Sequence, residues 1–90
     1  MHAVVVKVTI GDREAAQQGL DQDVVPQVSQ APGFQAGYWT WKDNTGLSMV
    51  IFDSEEGANQ AAGRVRDMVG GMNSAVTLED VEVREVVAHA

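Results

Sequence analysis

Ninety residues, 44% hydrophobic and 21% charged, fit one globular domain spanning 1–90, near the size where oligomerisation helps a single core. A net charge of −7, with only six basic residues scattered along the chain, excludes a nucleic-acid-binding face and disfavours anionic membranes. The absence of cysteine excludes disulfides, thiolate nucleophiles and thiolate metal sites.

No apolar run approaches the ~20 residues that a membrane span needs. The chain starts directly on a strand-like run, with no basic n-region and no cleavage site, so the expected location is cytoplasmic. That first run, His2–Ile10 (HAVVVKVTI), is rich in β-branched residues and predicts a strand. Val4, Val6, Val8 and Ile10 form one apolar face, and Ala3, Val5, Lys7 and Thr9 a mixed one.

Gly11-Asp12 ends the strand, and the Asp12 carboxylate can cap a helix. Ala16, Leu20, Val24 and Val28 then recur every four positions, the mark of an amphipathic helix. Pro26 lacks the N–H that would bond the Gln22 carbonyl and its ring crowds that turn. The expectation is a helix to about Val25, a kink or break, and one short further turn. Ala31-Pro32-Gly33 ends the segment.

A β-hairpin follows, with strands Phe34–Lys42 and Leu47–Asp53 around the turn Asp43-Asn44-Thr45-Gly46. It carries both tryptophans, the only tyrosine and both phenylalanines. Pairing Asp43 with Gly46, or Lys42 with Leu47, sets Trp41 opposite Ser48, Trp39 opposite Val50 and Gly37 opposite Phe52. Alternation then gives two faces. One holds Gly37, Trp39, Trp41, Ser48, Val50 and Phe52; the other holds Phe34, Ala36, Tyr38, Thr40, Lys42, Leu47, Met49 and Ile51. Both are largely apolar, which predicts a sheet covered on both sides.

Ser54 caps a second helix that starts with Glu55 and Glu56, where negative charge suits the helix dipole. Its stripe is Ala58, Ala61, Ala62, Val65, Met68 and Val69, and Gly70-Gly71 is expected to stop it. Met72–Val76 reads as a loop and Thr77–Ala88 as the last strand.

The order β-α-β-β-α-β, with right-handed crossovers, predicts an α+β ferredoxin-like sandwich. Its four-stranded antiparallel sheet has the first and third strands central and two helices on one face. The second apolar face calls for a second copy of the chain, a homodimer with sheets packed face to face. The second helix presents mainly alanines, which leave room for bulky partners, so Trp39, Val50 and Phe52 are placed towards the helices. Tyr38, Thr40, Met49 and Ile51 then face the partner sheet.

The run VVPQVSQAPGFQAGYW (Val24–Trp39), the hairpin, and FDSEEGANQAA (Phe52–Ala62) resemble the dimeric α/β-barrel superfamily, closest to its antibiotic-biosynthesis-monooxygenase-like branch. The resemblance implies that fold in nearly the whole chain. For activity it implies a range that includes cofactor-free oxygenases of polycyclic phenols, haem-degrading enzymes and members without known activity. The haem-handling members use a helix-borne histidine, which neither predicted helix contains. The phenol-oxidising members use Asn, Trp, Tyr and Arg in the cavity between sheet and helices. Trp39, Tyr38, Asn59 and Arg64 supply those residue types here without a position-by-position match, and the adjacent Tyr38 and Trp39 point to opposite faces.

The candidate ligand-binding residues are therefore Trp39, Trp41, Phe52 and Asn59, with Tyr38 and Arg64 as candidates for handling a proton or charge. Trp39 and Trp41 can stack on a flat ligand or simply fill the core. Tyr38 can act as a weak acid or bond a partner backbone group. Lys7 is a possible base, with an ion pair to Glu82 as the plainer role. His2 and His89 come near each other if the terminal strands pair, yet two imidazoles without a third ligand make a poor metal site. Asp12, Ser54, Glu55 and Glu56 are caps and dipole partners. With no phosphate-binding glycine loop and no metal-ligand cluster, no cofactor is expected. The expected function is binding, or cofactor-independent monooxygenase-like chemistry, of a flat aromatic or phenolic compound. The alternative is a non-catalytic structural or regulatory dimer.

Overall fold

The computed structural model describes residues 1–72 and 75–90. Strand β1 (His2–Ile10) leads into helix α1 (Arg13–Gly19), a π-helical turn (Leu20–Val24) and helix α2 (Val25–Ser29). Strands β2 (Phe34–Lys42) and β3 (Thr45–Phe52) form the hairpin, and helix α3 (Glu55–Met72) and strand β4 (Val76–Glu85) complete the chain. The strands lie in the order β2-β3-β1-β4 with every neighbour antiparallel, so β1 and β3 are central. This is the α+β ferredoxin-like arrangement. Among the described residues, no helix is long and apolar enough to cross a membrane.

Two core clusters glue the helices to one sheet face. The larger joins Val4, Val6, Val50 and Phe52 of the sheet to Val24 and Val28 and to Ala58, Ala61, Ala62 and Val65 of α3, with Trp39 packed against it. Ile10, Ala16, Ala75 and Val76 form the smaller. The tryptophan-bearing face of the hairpin is thus the helix-facing one, as the alanine stripe predicts.

The first helical segment differs from expectation. Pro26 does not break it; the turn before the proline opens instead to π geometry, the Val25 N–H donating to the Leu20 carbonyl. On a regular α-helix a residue every four positions drifts, so Ala16 and Val28 would lie about 120° apart around the axis. A π turn accommodates one extra residue, which reduces that drift to about 20°. Ala16, Leu20, Val24 and Val28 can therefore share one side.

The hairpin turn has two residues, as one of the two expected registers requires, but it sits one position earlier in the chain. Asp43 and Asn44 form the loop, Asp43 in the left-handed region (φ 55°), and Lys42 pairs with Thr45. Trp41 consequently faces Gly46, Trp39 faces Ser48 and Gly37 faces Val50, a shift of two residues. A shift of two preserves the side-chain alternation, so both faces keep their members. Phe34 is the exception. An irregularity at Gln35 pairs Phe34 with Phe52, turning its ring to the helix side, where the two rings meet edge to face at 6.2 Å.

Helix α3 is capped by Ser54, whose Oγ accepts from the Gly57 N–H at 3.1 Å. The helix runs through Gly70-Gly71 to Met72 rather than stopping there. Residues 73 and 74 of the expected Met72–Val76 loop lie outside the described residues, and β4 starts at Val76 and ends at Glu85, short of Ala88. Lys7 lies opposite Asp80, while Glu82 lies opposite Val5 and pairs with Arg84 at 2.8 Å, so the expected Lys7–Glu82 pair is not formed.

Candidate functional site between sheet and helices

Cross-strand register builds the site in two rows. Trp39, Ser48 and Val6 form one and Trp41, Gly46 and Val8 the other, each running from the edge strand β2 across β3 to β1. Above them lie Ala16, Leu20, Val24 and Val28, with Val65 and Val69 of α3 alongside. Between these walls is an apolar cavity of about 60 Å³. Ser48 contributes a hydroxyl to its sheet wall. No hydrogen bond among the described residues uses the Ser48 hydroxyl or either indole N–H.

Glycine shapes the sheet wall. A Cβ on Gly46 would lie 2.7 Å from Val8 Cγ2 and 3.2 Å from Trp41 Cδ1, so the Trp41 indole rests where position 46 has no side chain. A Cβ on Gly37 would meet the far edge of the Trp39 ring at 2.8 Å. Both tryptophans are half-buried. Arg13 places its guanidinium 5.2 Å from the Trp41 ring centroid and donates to the Asp43 carbonyl at 2.6 Å, tying α1 to the hairpin turn.

Leu20, Trp39 and Trp41 also line an outer groove of about 340 Å³, together with Gln17, Asp21 and Val25. The groove reaches the ~300 Å³ at which ligand sites begin, whereas the inner cavity does not. At its rim Gln17 Nε2 donates to both carboxylate oxygens of Asp21 at 3.2 Å.

The other sequence-derived candidates lie elsewhere. Tyr38 is 66% exposed on the opposite sheet face. Phe52 is fully buried in the core and shares only a 30 Å³ hollow with Arg64. Asn59 and Arg64 are exposed on α3 and line neither the cavity nor the groove. His2 Nε2 meets Glu55 at 3.3 Å, and His89 is exposed beyond β4. Among the described residues no three His, Asp or Glu side chains cluster as a metal site would require. Sequence reasoning found the two tryptophans and the four-residue stripe. It missed Gly46 under Trp41, and Gln17 and Asp21 at the rim. The first would follow from setting the turn at Asp43-Asn44; the others are an i, i+4 pair on the helix, next to Ala16 and Leu20 of the stripe.

No family model matches the chain, and no curated protein does. Solved structures do. SnoaB, a cofactor-independent oxygenase from Streptomyces nogalater, superposes with a TM-score of 0.78 at 13% identity over 98% of this chain and 94% of its own. A candidate antibiotic biosynthesis monooxygenase from Deinococcus radiodurans gives 0.72 at 14% identity, covering 100% of this chain and 95% of its own. ActVA-Orf6, a monooxygenase of Streptomyces coelicolor solved with nanaomycin D, gives 0.62 at 12% identity, covering 99% and 92%. At such identities the likeness establishes the fold alone: this chain shares its α+β ferredoxin-like arrangement with these proteins.

Proposed function

We propose that this chain binds a small, flat, largely apolar aromatic compound between its sheet and helices, as a cofactor-independent monooxygenase-like protein, and that it works as a homodimer. The observation that carries the reading is the pair of half-buried indoles, Trp39 and Trp41, which extend from an apolar cavity into a ligand-sized groove. Aromatic walls on one side and Leu20 and Val25 on the other suit a planar ring system. The fold shared with SnoaB and ActVA-Orf6 supports the chemistry by analogy.

In such chemistry the ionised phenol of the substrate activates oxygen itself. The protein holds the ring flat, excludes water and offers hydrogen bonds to its oxygen. Ser48 and the two indole N–H groups are the groups in this chain able to do so from the cleft wall. A second reading, a ligand carrier without turnover, is favoured by one observation: Tyr38, Asn59 and Arg64 all lie away from the cavity.

Titration with hydroquinone-type compounds under oxygen tests both. Binding quenches tryptophan fluorescence, and turnover consumes oxygen above the rate in protein-free buffer. Trp39→Ala is expected to weaken binding at least about tenfold, the loss of one stacking wall. Binding without oxygen uptake selects the carrier. A chain that neither quenches nor consumes oxygen with any flat phenol overturns the proposal.

A further inference from the structure

Resting on the reading of the cleft as an aromatic site, we propose that its ligand is a cation: a flat ring system bearing a protonated or quaternary amine, which lodges in the outer groove between the indoles and Asp21. Three features of the groove point to this chemistry. Among the described residues Asp21 is the one charged side chain lining it, and no ion pair among them uses its carboxylate. Gln17 donates to both of its oxygens and so orients the carboxylate while leaving its charge uncompensated. Trp39 and Trp41 line the same groove as that charge, and electron-rich indoles beside a carboxylate are the surroundings that organic ammonium ions prefer.

Arg13 shows the same preference from within the chain. Its guanidinium already lies 5.2 Å from the centroid of the Trp41 ring, held there by the Asp43 carbonyl at the hairpin end. It does not line the groove, so it leaves Asp21 unanswered. The net charge of −7 works in the same sense, drawing cations in and repelling carboxylate or phosphate ligands. The ring system lies in the outer groove against Leu20, Val25 and the indoles, with its amine at Asp21.

The test compares two molecules with one ring: naphthalen-1-ylmethylammonium and its neutral counterpart naphthalen-1-ylmethanol. The chain has only two tryptophans, so the two indole N–H resonances report Trp39 and Trp41 directly. Both should shift with either compound, the ammonium binding about tenfold more tightly. Asp21→Asn should erase that preference, and shifts of both indole resonances with the alcohol show that the variant is folded. Equal affinities in the wild-type chain, or a preference that survives Asp21→Asn, overturn the cation proposal alone. If neither compound moves either resonance, the aromatic cleft itself is wrong and both proposals fall.

Discussion

Position 46 has no room for a methyl group, and that fact says most about how single residues make this site. Gly46 is buried between Val8 and Trp41, both of which line the cavity. An alanine Cβ there would press on Val8 Cγ2 at 2.7 Å, tighter than real contacts allow. Gly46→Ala should therefore destabilise the fold by about 1–3 kcal/mol, seen as a lower urea midpoint with unchanged slope, and should displace the Trp41 indole resonance. That Trp39 and Trp41 share a face was legible in the sequence, because alternation along a strand survives a two-residue error in register; which face meets the helices rested on the alanine stripe of α3 and not on alternation. The contact of Trp41 with Gly46 was not legible, because it depends on the register itself. Phe34 was misplaced for a related reason: one irregular residue, Gln35, reverses the alternation, and nothing in its side chain announces that.

At the scale of elements, capping and periodicity decide where the walls of the cleft stand. Helix α3 starts where Ser54 Oγ takes the Gly57 N–H, with Glu55 and Glu56 in the first turn. Ser54→Ala removes that acceptor and should lower stability by about 1 kcal/mol, measured by urea unfolding; restoration by Ser54→Asp, but not by Ser54→Val, would identify the effect as capping. The first helical segment holds the subtler lesson. Its apolar residues recur every four positions, a spacing that a straight α-helix cannot keep on one side over three repeats. Read with Pro26, the strict fourfold spacing was already a sign of an extra residue in the helix, and the π turn Leu20–Val24 supplies it. Both the expected kink and the observed π turn answer the missing N–H of Pro26. With the π turn, Leu20, Val24 and Val28 all pack with the cluster that holds Val6, Val50 and Val65.

The architecture of the whole molecule was the most legible part, since βαββαβ order with right-handed crossovers leaves few alternatives. The sheet face turned away from the helices carries the remaining argument. Tyr38, Met49, Val5 and Glu82 form one row across the four strands, and Thr40, Leu47, Lys7 and Asp80 form another. Within these two rows β2 and β3 carry no charge, which is confined to Lys7, Glu82 and Asp80, while Lys42 lies at the hairpin end of the same face. Tyr38, Leu47 and Met49 are 66%, 52% and 46% exposed, so the folded chain leaves large apolar side chains adjacent at the centre of this face. Isolated exposed hydrophobics need no explanation, but a contiguous patch of them usually marks an interface. A second copy, related by a two-fold axis, can cover it with its own Tyr38, Leu47 and Met49. Met49→Asp should break that pairing, because an unpaired carboxylate buried there would be destabilised by several kcal/mol. As Met49 lies on the face away from the cleft, the dissociated variant should keep its helix–sheet core and its tryptophan environment. Sedimentation equilibrium of both proteins at tens of micromolar separates the outcomes. A wild-type dimer and a folded Met49→Asp monomer support the two-sided sheet, whereas a monomeric wild-type chain overturns it.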